Sequence, residues 1–225
     1  GRDTTPAVSS PAASSSHAWW APCLVGALLA WAPRARAEMP LPDYRVVVAE
    51  AAGSEVARLA RDDSAEAAER FAGRWMRVVG ESARVQYELG LAWRLAGDDR
   101  RAASSIDRAV HLDPELAAAR YDRGEIRLAA GDLEGAADDF ATVARLEPTA
   151  WPGWFRVADV ASRRGDAAAF ETALLKAFRH GFSTRLVAQD PHWRGLASDP
   201  TIGPTFRRLV VVYQGDGALE ELRLP

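Results

Sequence analysis

Between Ala83 and His180 the apolar positions follow a helical rhythm broken at regular intervals. Tyr87, Leu89, Gly90, Ala92 and Trp93 share one predicted helix; Ala102, Ile106, Ala109, Val110 and Leu112 share the next. The Gly97-Asp98 pair between them predicts a turn, with Gly closing one helix and Asp opening the other. Asp113-Pro114 predicts the stop of the second helix. The same order returns in Tyr121, Gly124, Ile126, Leu128, Gly131-Asp132, Ala136, Phe140, Val143, Leu146 and Pro148. It returns again in Trp154, Phe155, Val157, Ala158, Gly165-Asp166, Phe170, Leu174 and Ala177.

The interval is constant. The Gly-Asp pairs begin at 97, 131 and 165, and Tyr87, Tyr121 and Phe155 keep the same 34-residue spacing. A fixed period of this length marks stacked helix pairs, each of which hides its apolar side against its neighbours. Leu89-Gly90, Trp93, Gly97-Asp98, Ala102, Ile106, Ala109 and Asp113-Pro114 resemble the tetratricopeptide repeat with its spacing intact. Gly90, Gly124, Ala102 and Ala136 are the small residues expected where two helices cross closely. Two positions depart from the pattern. Arg123 stands where the family prefers Leu, and the third repeat lacks the closing Pro.

The resemblance implies an all-α solenoid of three repeats, 83–116, 117–150 and 151–182. A helical pair over 38–82 is expected as a degenerate repeat or cap. Its apolar positions are Val46, Val47, Ala49, Val56, Leu59 and Ala60, with an interruption at Gly53, then Phe71, Trp75, Val78 and Val79. Asp63-Ser64 caps the second of these helices and Gly80 ends it; Met39-Pro40-Leu41-Pro42 reads as an extended lead-in. The tail, 183–225, is expected to cover the apolar end of the array. Asp190-Pro191 and Asp199-Pro200 each suit a helix start, Phe206, Leu209, Val210 and Val211 a short helix, and 214–217 a turn.

The N-terminal stretch 1–37 reads differently. A Ser/Pro/Ala-rich opening precedes the apolar run AWWAPCLVGALLAWA, 15 residues long, which is short for a bilayer-spanning helix. Ala35-Arg36-Ala37 before Glu38 fits signal-peptidase cleavage, so an exported, periplasmic or secreted chain with no stable membrane span after cleavage is expected. An uncleaved anchor is the alternative.

Composition narrows the function classes. The formal net charge of −3, with dispersed arginines, argues against a nucleic-acid partner. The single cysteine, Cys23, excludes an intramolecular disulfide, and no cofactor or metal is expected. No GxSxG, HExxH, Walker or GxGxxG motif is present, so no catalytic residue is named and the chain reads as a non-enzyme. His111 and His180 fit helix C-termini, and His192 beside Trp193 fits a capping or surface role. Trp75, Trp93 and Trp154 fall on helix stripes and read as core.

The resemblance places the first helix of each repeat along a concave groove for a protein or peptide. The residues it assigns to that groove are Arg84, Tyr87, Glu88, Leu91, Arg94 and Leu95; then Tyr121, Asp122, Glu125 and Leu128; then Phe155, Arg156, Asp159 and Arg163. The aromatic at 87, 121 and 155 either forms a ladder for a partner or packs between repeats. The Lys/Asn carboxylate clamp of one family subset cannot be built, because the chain holds no Asn and these helices no Lys. An interaction scaffold is expected. The alternatives are an accessory subunit of an envelope enzyme or secretion complex, and a small enzyme with a site in the tail.

Overall fold

The computed structural model describes residues 41–223, and all of its regular elements there are helices. The expected signal segment and Met39-Pro40 lie outside the described residues. The chain divides into two units at Val46. Among the described residues the first unit holds only the opening of helix α1, and the second holds the repeats and the tail.

Helix α1, Leu41–Asp62, and α2, Ala65–Val79, form the N-terminal pair. The repeats come next as α3, Ala83–Leu95, with α4, Asp99–Leu112; α5, Ala117–Ala129, with α6, Leu133–Leu146; and α7, Trp151–Arg163, with α8, Ala167–Arg179. A short 3₁₀ turn, Thr184–Val187, leads to α9, Pro191–Leu196, α10, Gly203–Gln214, and α11, Gly217–Arg223.

The start and stop chemistry explains the boundaries. Ser64 accepts a hydrogen bond from the Ala67 amide, and Asp98, Asp132 and Asp166 do the same for Arg101, Gly135 and Ala169. Each thereby satisfies an amide that a helix leaves unpaired in its first turn. The Gly97, Gly131 and Gly165 turns have φ of 79°, 81° and 70°, a left-handed backbone that a Cβ disfavours.

The small residues sit at real crossings. A Cβ on Gly90 would stand 2.6 Å from Ile106, and one on Gly124 2.6 Å from the Phe140 ring. The third repeat carries Ala158 at that position, fully buried. Gly153 is tighter in kind, because its Cβ would meet the Ala144 backbone at 2.9 Å.

Four expectations need correction. Leu41 and Pro42 are helical, since Pro suits the first turn, where its missing amide has no partner to lose. Gly53 does not interrupt α1; it is buried, and a Cβ there would meet Arg84 at 3.0 Å. Val47 and Val78 are exposed, each on the outward side of its helix, so the apolar stripes are narrower than read. Asp199-Pro200 does not open a helix. Asp199 caps a turn through the Thr201 and Ile202 amides, and α10 begins at Gly203 with Pro204 in its first turn.

The tail closes the array as expected. Where the first two repeats end in Pro114 and Pro148, the third has Phe182, which is buried. Phe182 lies 4.7 Å from Phe155 between ring centroids, and Trp193 of α9 stacks on Phe155 at 4.9 Å. Phe170 and Phe206 complete the aromatic cluster around Trp193. Fully burying one such side chain contributes roughly 1.5–3 kcal/mol.

Candidate protein-interaction face

The residues assigned to the groove are linked to one another across repeats. The Tyr87 hydroxyl of α3 donates to Asp122 Oδ2 of α5 at 2.8 Å, and Arg94 of α3 donates to Asp122 Oδ1 at 2.8 Å. One repeat further on, Arg156 of α7 donates to the Tyr121 hydroxyl at 3.2 Å and to Glu125 Oε2 at 2.6 Å, both on α5. Arg156 and Arg163 flank Asp159 at 3.2 and 3.3 Å. Arg84 pairs with Glu88 at 2.7 Å, one helical turn away on α3. The first helices of all three repeats are therefore tied into one continuous polar face.

These contacts decide how the aromatics at 87, 121 and 155 are used. Tyr87 and Tyr121 are half-buried, with hydroxyls committed to the neighbouring repeat. Tyr121 also meets Phe140 edge-on at 5.7 Å. Phe155 is buried under Trp193 and Phe182. Tyr87 and Tyr121 thus bridge neighbouring repeats, and Phe155 packs against the tail. Leu91 and Leu128 are half-buried, whereas Arg94, Leu95 and Arg163 are exposed.

Burial shapes the electrostatics of the acids. Desolvation pushes the Glu88 and Glu125 carboxyls above their ordinary range, even against the attraction of Arg84 and Arg156. Asp122 and Asp159 add to the rise at Glu125, because like charges nearby disfavour ionisation. Burial and the Asp122 carboxylate together push the Tyr87 phenol up.

His192, at the start of α9, places Nε2 2.7 Å from Ser162 Oγ and 3.6 Å from Asp159 Oδ1. Ser162 donates its own proton to the Asp159 backbone carbonyl at 2.7 Å, so Nε2–H is the donor to Ser162. Serine and carboxylate thus share one ring nitrogen. A nucleophile relay needs the acid on the opposite nitrogen, Nδ1, so this trio does not activate Ser162. Burial, then the Arg163 charge, hold the His192 pKa below its ordinary value. The trio joins the tail to α7. Among the described residues no group of three or more His, Cys, Asp or Glu could hold a metal ion.

Neither a family model nor a curated protein matches the chain. Solved structures do. A MamA RS-1 double mutant superposes with a TM-score of 0.60 at 20% identity, over 77% of this chain and 93% of that one. MamA from Desulfovibrio magneticus RS-1 gives 0.59 at 19% identity, over 79% and 97%. MamA AMB-1 gives 0.54 at 13%, over 80% and 91%. These neighbours are helical solenoids of the tetratricopeptide-repeat type. The fold is a tetratricopeptide-repeat solenoid.

Within that solenoid the middle repeat carries a site that sequence reading missed. Asp139 of α6 is fully buried and accepts from Arg120 at 3.0 Å, Arg123 at 2.6 Å and Arg127 at 2.8 Å, all on α5. The departure at Arg123 is thus one half of an exchange. Burial alone would raise the Asp139 pKa, yet the hydrogen bonds from Arg123 and Arg120 hold it below the carboxylate range.

Proposed function

We propose that this chain is a protein-interaction scaffold, exported to the cell envelope, whose docking face is the surface of α3, α5 and α7. The cross-repeat network carries the reading. Tyr87–Asp122 and Arg156–Tyr121/Glu125 lock three helices into one surface before any partner arrives. A pre-ordered surface loses little conformational entropy on binding. The family resemblance and the solenoid fold support the same face.

The export part rests on Ala35-Arg36-Ala37 before Glu38. Among the described residues no helix is long and apolar enough to cross a membrane. N-terminal sequencing of the native protein tests it, with Glu38 as the expected first residue; retention of the apolar run would replace export by anchoring.

The docking face is tested by photo-crosslinking in cells. A crosslinker at Leu95 or Ala129, both exposed on first helices, is expected to capture one reproducible partner. The same group at Val78, exposed on α2, is expected to capture none. Equal capture at all three positions would remove this face as the docking site.

A further inference from the structure

The ion pairs of the first-helix face are layered. Arg84 is 36% exposed over Glu88 at 10%, and Arg94 is 47% exposed over Asp122 at 12%. Arg163 is 35% exposed over Asp159 at 1%, and Arg156 22% over the same Asp159. The Arg156–Glu125 pair, at 22% and 29%, and the Arg84–Glu50 pair, at 36% and 56%, leave the acid the more exposed partner. At Arg94 and Arg163 the carboxylate forms the floor and the guanidinium the ceiling. A face whose charges balance on paper therefore presents cations to an approaching chain.

Those cations have bonding capacity left. Among the described residues Arg94 spends only Nη1, on Asp122, and Arg163 spends only Nε, on Asp159. Each guanidinium has five N–H donors, arranged to meet a carboxylate with two parallel bonds. Beside Arg94, Leu95 is 68% exposed. Leu95, Ala129 and Arg163 occupy the same position in successive repeats, so an apolar spot and a cation lie at the two ends of one row.

We infer that the first-helix face takes an acidic segment of a partner protein, with Asp or Glu side chains on Arg94 and Arg163 and an apolar side chain on Leu95. This rests on the docking-face reading above and supplies its ligand chemistry. A basic segment is disfavoured. It would have to move the arginines aside to reach the carboxylates, breaking the contacts that tie the repeats together. A nucleic-acid strand is disfavoured too, because the chain's formal net charge is −3 and its arginines are dispersed, with no basic stripe long enough to follow a phosphate backbone.

The test is a phage-displayed library of random 12-residue peptides panned on the full chain. Selected peptides are then measured by fluorescence anisotropy. The expected result is enrichment in Asp and Glu with at least one large apolar residue. Affinity is expected to fall about tenfold in the R94Q/R163Q double variant and to weaken as salt is raised. L95E, at an exposed position, is a second probe if the double variant melts early, and it is expected to repel the same peptides. Ala129→Trp obstructs the face without altering its charge. Peptides lacking acidic enrichment whose binding Ala129→Trp abolishes would overturn the acidic ligand and leave the docking face standing. Peptides indifferent to all of these variants, or no enrichment at all, would overturn both.

Discussion

Arg123 Nη2 lies 2.6 Å from Asp139 Oδ1, at a place where the neighbouring repeats pair apolar or small residues. Position 123 corresponds to Leu89 and Val157, and position 139 to Ser105 and Ala173. The middle repeat has thus exchanged an apolar contact for a buried ion pair, with Arg120 and Arg127 as second and third donors. A buried ion pair seldom adds stability relative to a packed apolar pair, but breaking one side is costly.

The Asp139→Ala variant should therefore lose about 3 kcal/mol, because it leaves the part-buried Arg123 with only the exposed Asp107, at 3.6 Å, as its acid. The double variant Arg123→Leu/Asp139→Ala should recover most of that loss, since Arg127, 32% exposed, can turn to water and Arg120 keeps its bond to the Pro114 carbonyl. Urea unfolding of the three proteins decides it. Equal losses in single and double variants would mean the site is held by packing and not by charge.

Acid should act through the same residue. Asp139 has a folded pKa below its unfolded value of about 4. Its contribution is present above the unfolded value and is lost as pH falls through the folded one. The stability difference between wild type and Asp139→Asn should be full at pH 7 and shrink progressively below about pH 4. Denaturant curves at several pH values measure it.

His192 has the opposite charge type and another window. Its folded pKa is lowered, so the folded chain prefers the neutral ring. That contribution is intact above the unfolded value of about 6.5 and declines as pH falls from there toward the folded value. Wild type should lose thermal stability between pH 7 and pH 5, and His192→Gln should lose less over the same interval. The site is half-buried, so a difference of a few degrees in Tm is expected.

The close crossings predict a graded series. Gly124→Ala sets a Cβ 2.6 Å from the buried Phe140 ring, a side chain that must shift to make room, and should cost about 1–3 kcal/mol. Gly153→Ala meets the Ala144 amide and Cα, which cannot yield without moving the helix, and should cost more. Thermal melts of both, with Gly73→Ala as a control at a roomy helical site, test the order. The control should be neutral or slightly stabilising.

Most of the fold was legible in the sequence because it depends on local signals. Gly-Asp turns, Ser and Asp caps, and the small residues at 90, 124 and 158 all act within one helix pair. The period multiplied those signals threefold. The outward valines at 47 and 78 misled because an apolar residue beside a stripe reads like part of it. The Asp139 site was half visible: Arg123 stood out, but its partner lies 16 residues away across a hairpin. Laying the repeats over one another and asking which positions change together would have found it. The cross-repeat hydroxyl contacts were not readable in advance, because a Tyr that packs and a Tyr that binds follow the same spacing.

The aromatic plug built by Phe155, Phe182 and Trp193 has a consequence for how the molecule can evolve and be engineered. It consumes the surface on which another helix pair would nest, so extension at this end requires the whole tail to be rebuilt. A segment grafted after His180 would find no exposed template. Lengthening the solenoid is easiest by duplication inside it, between 116 and 117 or between 150 and 151, where both cut edges already match an existing neighbour.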